Sequence, residues 1–343
     1  MLQMDNKTPF KTSLGLFPDE KGIDSVYPVV KGTFRLGENL RIADNQAPIV
    51  MVDEFHGKPD ESSLKYASEL TFTKPATDVV LMGHAYAPRG RKTTEVDVGL
   101  RVGQHGKVVR VFGNRLWLSG AVGHMMSEPQ PFERMPLVYE RSFGGSDQVG
   151  ADERPVGVEA NPVGTGYYHS RGKKDIDGMP LPNLEDPLHL ISGWTDDPAP
   201  AGFGPLCAHW LPRKKYAGTY DEAWQTSRAP YLPLDFDPRF FNSATPDMIF
   251  SPHLQGGEDV EIHNADSSGR LAFKIPHVTL DISIRIDGET THHLPALDTV
   301  LIEPDENRLC LVWRCKQTCD KKMLRMELVT FEIKQADPAV AGL

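Results

Sequence analysis

Only four cysteines occur in 343 residues, too few for the disulfide framework that staples small secreted domains. No run approaches the roughly 18 consecutive apolar residues of a membrane-spanning helix. The first 25 residues, MLQMDNKTPFKTSLGLFPDEKGIDS, lack the apolar core of a signal peptide, so a reducing cytosol is the expected compartment. Positive charge is also in deficit: 37 Lys and Arg face 47 Asp and Glu, a net charge of −10. Such a chain has no general attraction for phosphate backbones or anionic membranes, and no local basic patch offsets the balance. Long uninterrupted helices are disfavoured by 30 Gly and 28 Pro, which free or fix φ too often.

What is present is ordinary for a globular chain, with 39% hydrophobic and 24% charged residues. The length predicts about two or three structural units. Residues 1–135 read as strands separated by turns. Val96, Val98, Leu100 and Val102 alternate with polar or small residues, a period of two. Gly103–Gly106 supplies a turn and 107–113 the returning strand. DVVLMGHAYA at 78–87 is apolar throughout and fits a strand covered on both faces.

From 136 to 258 the periodicity disappears. Residues 121–260 hold 17 of the prolines and 15 of the glycines, so long ordered loops are expected. The stretch is not disorder-like, because residues 203–250 carry ten of the chain's aromatic residues. One helix is expected over 220–228, started by a capping box of Thr219 and Glu222. Tyr220, Ala223, Trp224 and Ser227 would share its docked face, with Asp221, Gln225 and Arg228 wetter. Asp237–Pro238 and Thr245–Pro246 read as cap-then-proline starts of short turns.

Alternation returns over 259–334. Val278, Leu280, Ile282, Ile284 and Ile286 face one way, and Asp287–Gly288 is a favoured pair for a two-residue hairpin turn. That turn sets Ile282 opposite His293 and Ser283 opposite His292. A second hairpin turns at 305–307, and a change of apolar parity between Leu328 and Val329 suggests a bulge there. Residues 335–343 read as a frayed tail. The expected fold is thus mostly β, with N- and C-terminal antiparallel sandwich-like regions and a long Gly/Pro- and aromatic-rich loop region holding a few short helices. Whether the two β regions share a core is open at this level.

A search for chemistry finds little. There is no G-x-S-x-G, and the nearest phosphate-loop pattern, Gly83 followed by Gly90-Arg91-Lys92-Thr93, has the wrong spacing and an arginine for the lysine. Cys310, Cys315 and Cys319 cluster, but strand parity sends Cys310 to the face opposite Cys315. His292 and His293 are adjacent on a strand and also diverge. Asp235 and Asp237 could serve as an acid–base pair in one cleft, although Asp237 before Pro238 reads as a cap and Asp235 as a partner for Arg239. His84, His124 and His253 share no spacing rule. No cofactor or metal is expected.

The remaining signal is the density of Trp, Tyr and Arg, residue types enriched where proteins bind proteins. On composition, the candidates for contact with a partner are Trp210, Arg213, Tyr216, Tyr220, Trp224, Arg228, Tyr231, Phe236, Arg239 and Phe240. The same side chains could instead staple long loops to the core.

The segments KPATDVVLMGHAYAP (74–88), EPQPFERMPLVYERSFGG (128–145), NPVGTGYY (161–168), LPNLEDP (181–187), PAGFGPL (200–206), YAGTYDEAW (216–224) and LPLDFDPRFFNSATPD (232–247) together resemble one family. That family is the uncharacterised-domain proteins encoded beside type VI secretion VgrG spikes and their toxic effectors in Gram-negative bacteria. The resemblance runs over about residues 15–320. It implies a cytoplasmic adaptor or chaperone, not an enzyme, that binds a cognate effector and assists its loading onto the VgrG–PAAR spike, with no established catalytic residues. The alternatives are a hydrolase-type enzyme or effector using Asp235, Asp237 and nearby histidines, and an envelope- or glycan-binding β module.

Overall fold

A computed structural model describes residues 2–37, 40–120, 123–147, 156–169 and 176–337. It is mostly β. The principal strands are β1 (Gln3–Asn6), β2 (Lys11–Pro18), β3 (Asp24–Arg35), β4 (Thr77–Leu81), β5 (His84–Tyr86), β6 (Glu95–Val102), β7 (His105–Phe112) and β8 (Leu184–Glu185). After the loop region come β9 (Ile249–Phe250), β10 (Asp259–His263), β11 (Arg270–Lys274), β12 (Val278–Ile286), β13 (Glu289–His293), β14 (Ala296–Glu303), β15 (Arg308–Arg314) and β16 (Met326–Ala336). Among the described residues, no helix is long and apolar enough to cross a membrane.

The strands from the two ends of the chain interleave. The largest sheet runs β9-β4-β14-β15-β3-β2, a second β8-β7-β6-β10-β11, and a third β1-β16-β12-β13. Each therefore joins N-terminal strands to strands beyond residue 248. One continuous core draws Val30, Phe34, Val79 and Leu81 from the first region together with Val300, Ile302, Leu309 and Leu311 from the last. The question left open by the sequence is settled by these pairings: the two β regions share a core.

Local patterns explain most elements. In β6, Val96, Val98, Leu100 and Val102 are buried while Glu95, Asp97 and Arg101 are exposed, and Gly103 enters the turn to β7 at φ 57°. The β12–β13 turn places Asp287 and Gly288 at φ 56° and 80°, the paired left-handed geometry of a two-residue hairpin. Ile282 lies opposite His293 and Ser283 opposite His292, as the turn requires. The stretch 78–87 is not one strand. β4 is buried at every residue and pairs in parallel with β14, but Gly83, at φ 150°, breaks the run and β5 leaves to pair with Arg134–Pro136. A Cβ at Gly83 would also come within 3.2 Å of Asp305 Oδ2.

In β16 the bulge lies at Glu327 rather than between Leu328 and Val329, with a second at Lys334. The first lets Met326, Val329 and Phe331 all face inward opposite Ile286, Ile284 and Ile282. β16 continues to Ala336, and 338–343 lie outside the described residues.

The loop region is ordered by polar anchors as much as by rings. The Asp78 carboxylate, wholly buried on β4, accepts from Lys74 Nζ (2.7 Å), Asn242 Nδ2 (2.8 Å) and the Ser243 N–H (2.7 Å). Asn161 Nδ2 donates to the carbonyls of Tyr139 and Phe143 at 2.8 and 3.0 Å, so a buried side chain supplies what a regular ladder would have supplied.

The expected helix is shorter than its pattern. α1 spans Glu222–Ser227, and Asp221, not Thr219, is its cap, accepting the Trp224 N–H at 2.8 Å. Thr219 is taken by Asp235, to which it gives its N–H (3.0 Å) and hydroxyl (2.8 Å). No residue of α1 is buried. Ala223 and Ser227 are exposed, so the docked face expected of the helix does not form. Arg228, expected to be wetter, is half-buried, donating to Leu232 O (2.9 Å) and Glu20 O (2.7 Å).

Candidate protein-binding surface

The ten residues singled out by composition divide by depth. Trp210 is only 1% exposed and packs its ring edge-on to Tyr139 at 5.9 Å. Arg213, also buried, donates to Leu206 O at 2.6 Å and to Phe240 O at 3.0 Å. These two hold the loop from inside. Tyr216 is half-buried under the Arg239 guanidinium, 4.5 Å from its ring.

Phe236 and Phe240 end a relay of rings that starts on the large sheet. Phe17 of β2 stacks on Tyr27 of β3 at 4.4 Å, Tyr27 meets Phe72 at 5.4 Å, and Phe72 stacks on Phe241 at 4.7 Å. Phe241 then meets Phe236 at 5.3 Å and Phe240 at 5.7 Å. Each such contact adds about 0.5–1.5 kcal/mol beyond its buried area. The relay fastens 236–241 to the sheet.

Beyond it stands a projection built around α1. Tyr220, 52% exposed, meets the Trp224 ring edge-on at 4.7 Å. The Trp224 indole N–H donates to Tyr231 O at 2.8 Å, closing the loop after the helix. Tyr231 packs against Gly22, where a Cβ would lie 3.1 Å from its ring, so the projection leans on the β2–β3 turn. Leu234 is 88% exposed. The structure thus brings Tyr220, Trp224, Arg228 and Tyr231 together on one outcrop, adds Leu234, and places Trp210 and Arg213 in the interior.

Asp235 and Asp237 each have a local structural task. The Thr219 N–H and hydroxyl hold the Asp235 carboxyl below its usual range. The Arg239 guanidinium does the same for Asp237, which also caps the turn Pro238–Phe241 through the Arg239 N–H at 2.9 Å. Both are therefore anionic at neutral pH, and neither is kept protonated as a general acid would be.

One cluster escaped the sequence. Asp305, in the β14–β15 turn, accepts from Tyr86 OH (2.5 Å) and Arg134 Nη2 (2.9 Å) and lies 2.6 Å from His84 Nδ1. Burial pushes the Asp305 carboxyl up, but these hydrogen bonds outweigh it and leave it below its usual range. The pairing of β4 with β14 creates this meeting across 221 residues, and no local spacing could have shown it. The four groups satisfy one another and tie β5 to the turn. Among the described residues, no three His, Cys, Asp or Glu side chains converge as a metal site.

Fold and surface together define a class: a mostly β scaffold of interleaved strands that carries a fastened, aromatic-rich loop outcrop. Within that class the chain belongs to the family described as "Uncharacterized protein conserved in bacteria (DUF2169)", whose model matches residues 21–314. No curated protein and no solved structure matches the chain.

Proposed function

We propose that the protein is an adaptor or chaperone of type VI secretion, which holds a cognate effector in the cytosol and assists its loading onto the VgrG–PAAR spike. The resemblance of the seven motif segments supports the secretion role. The observation that carries the binding role is the α1 projection, where Tyr220, Tyr231 and Leu234 are exposed around the half-buried Trp224, on a base fixed by packed rings and hydrogen bonds. A surface already ordered before contact loses less conformational entropy on binding. Aromatic anchors of this kind often dominate an interface of about 1,200–2,000 Å².

The test is co-purification of a neighbouring effector's N-terminal part with the full chain. Tyr220→Ser and Leu234→Asp should each weaken capture at least about tenfold, roughly 1.4 kcal/mol. Thermal unfolding should be unchanged for Leu234→Asp, and Tyr220→Ser should lose no more than the about 0.5–1.5 kcal/mol of its ring contact with Trp224. Trp224→Ala is less clean because that indole also closes its own loop. Capture unaffected by the pair of exposed substitutions would remove the projection from the interface.

A further inference from the structure

A second surface has a different character. In the sheet β8-β7-β6-β10-β11, β8 covers β7 only at Arg110 and Val111. Phe112 gives its N–H to Asn183 O at 2.7 Å and receives Asn183 Nδ2 at its carbonyl, so its main-chain groups point to the β8 side. By the antiparallel alternation, those of Arg110, Val108 and Gly106 point the same way. Continuing the register would set Pro187 opposite Val108, and proline has no N–H to give. The chain turns away instead, with the His189 N–H on Asp186 O at 2.9 Å. Four residues of β7, Gly106–Val109, thus form a strand edge with no strand partner among the described residues.

This edge borders a groove of about 800 Å³. Its walls are apolar: Leu188, 84% exposed, with Leu206, Leu211, Pro200 and Pro246, while Val108 is 45% exposed beside them. None of the projection residues Tyr220, Trp224, Tyr231 or Leu234 lines it. Its charged groups are Lys107, paired with Asp247 at 2.9 Å, and Asp186, whose partner is His189. Lys107 thus answers Asp247, and no lysine or arginine of the lining pairs with Asp186.

We propose that this groove takes an extended segment of another polypeptide, added as a strand to the free edge of β7. The unpaired main-chain groups recur every second residue, a spacing that another backbone matches and a compact small molecule does not. Apolar side chains at alternate positions of the incoming segment would meet the Leu and Pro walls, and a lysine or arginine would answer Asp186. The assignment does not depend on the secretion reading.

The probe is a labelled, acetylated and amidated heptapeptide that alternates valine with threonine and has one central lysine, titrated into the full chain by fluorescence anisotropy. Saturable binding is expected, with slowed hydrogen exchange at the Val108 and Gly106 amides. A glutamate in place of the lysine should weaken it at least about tenfold. Val108→Pro leaves the β6 pairing intact, because that N–H faces outward, but removes the new donor, and should abolish binding with unchanged circular dichroism. Exchange at the two amides in the unsubstituted protein decides the matter if the proline variant misfolds. Absence of binding, binding untouched by Val108→Pro, or unchanged exchange at both amides would overturn the proposal. So would a concentration-dependent dimer abolished by Val108→Pro, which would assign the edge to a second copy.

Discussion

Replacing Asp78 by alanine should be among the most damaging single changes in the chain. The carboxylate is 0% exposed and receives Lys74, Asn242 and the Ser243 main chain. Removing it leaves the Lys74 ammonium, itself buried, with Thr299 Oγ1 at 2.8 Å as its remaining partner. Breaking a buried ion pair from one side costs about 3–5 kcal/mol, and an orphaned buried N–H at Ser243 adds about 1–3 kcal/mol. Against a total stability of about 5–15 kcal/mol, the variant should be marginal. Urea unfolding followed by tryptophan fluorescence measures the loss. Lys74→Met in the same molecule should recover part of it, because the stranded charge is then gone. A loss below about 1 kcal/mol, or no recovery in the double variant, would show that this network does not anchor 242–243 to β4.

Two further outcomes follow from titrating groups. Arg101 and then Arg270 hold the Glu261 carboxyl down to about 2; since its folded value lies below its unfolded one, its contribution is complete above about pH 4.3 and fades as pH falls towards 2. Glu261→Gln should flatten that part of the stability–pH curve, and a carboxyl resonance titrating near 4.3 would contradict it. Burial pushes Cys207 up to about 11 and Cys315 up to about 12, and raises Cys310 and Cys319 as well. Thiol titration at pH 8 should find all four unreactive until urea is added, and rapid labelling of any one in the native protein would refute that.

Elements held by local chemistry were legible in the sequence. The β12–β13 hairpin followed from Asp287–Gly288 and five alternating apolar residues, down to its register. The helix start was not, because Thr219 and Asp221 are both good caps and a carboxylate fourteen residues beyond Asp221 decides between them by capturing Thr219. In the candidate surface, composition found the aromatic residues but could not sort them by depth. Trp210 is interior because Leu64 and Tyr139, both distant in sequence, close around it with Leu206 and Cys207, whereas Trp224 has no such cluster over it among the described residues. The relay through Phe17, Tyr27 and Phe72 and the His84–Asp305 cluster depend on strand order, and the strand order came from parallel and crossover pairings that leave no local trace.

That interleaving also bears on whether the ends of the chain could have been separate units. Residues 1–135 expressed alone would keep β3 and β4 but lose β15 and β14, the strands that lie against them over Val29–Arg35 and Asp78–Leu81. Val30, Phe34, Val79 and Leu81, all fully buried in the whole chain, would regain water on at least one side. At about 1.5–3 kcal/mol for each fully buried side chain, losing even half of that burial removes about 3–6 kcal/mol, before the opened hydrogen-bonding edges are counted. A fragment of that length has little reserve to meet such a loss. It should show no cooperative thermal transition and poor amide dispersion by NMR, as should 259–343 alone. A well-dispersed spectrum from 1–135 would mean that the first region carries its own core. Failure of both fragments would tie the loop region's firmness to closure of the sheets around it, because β9, which follows the loops directly, joins the large sheet through β4, itself held by β14.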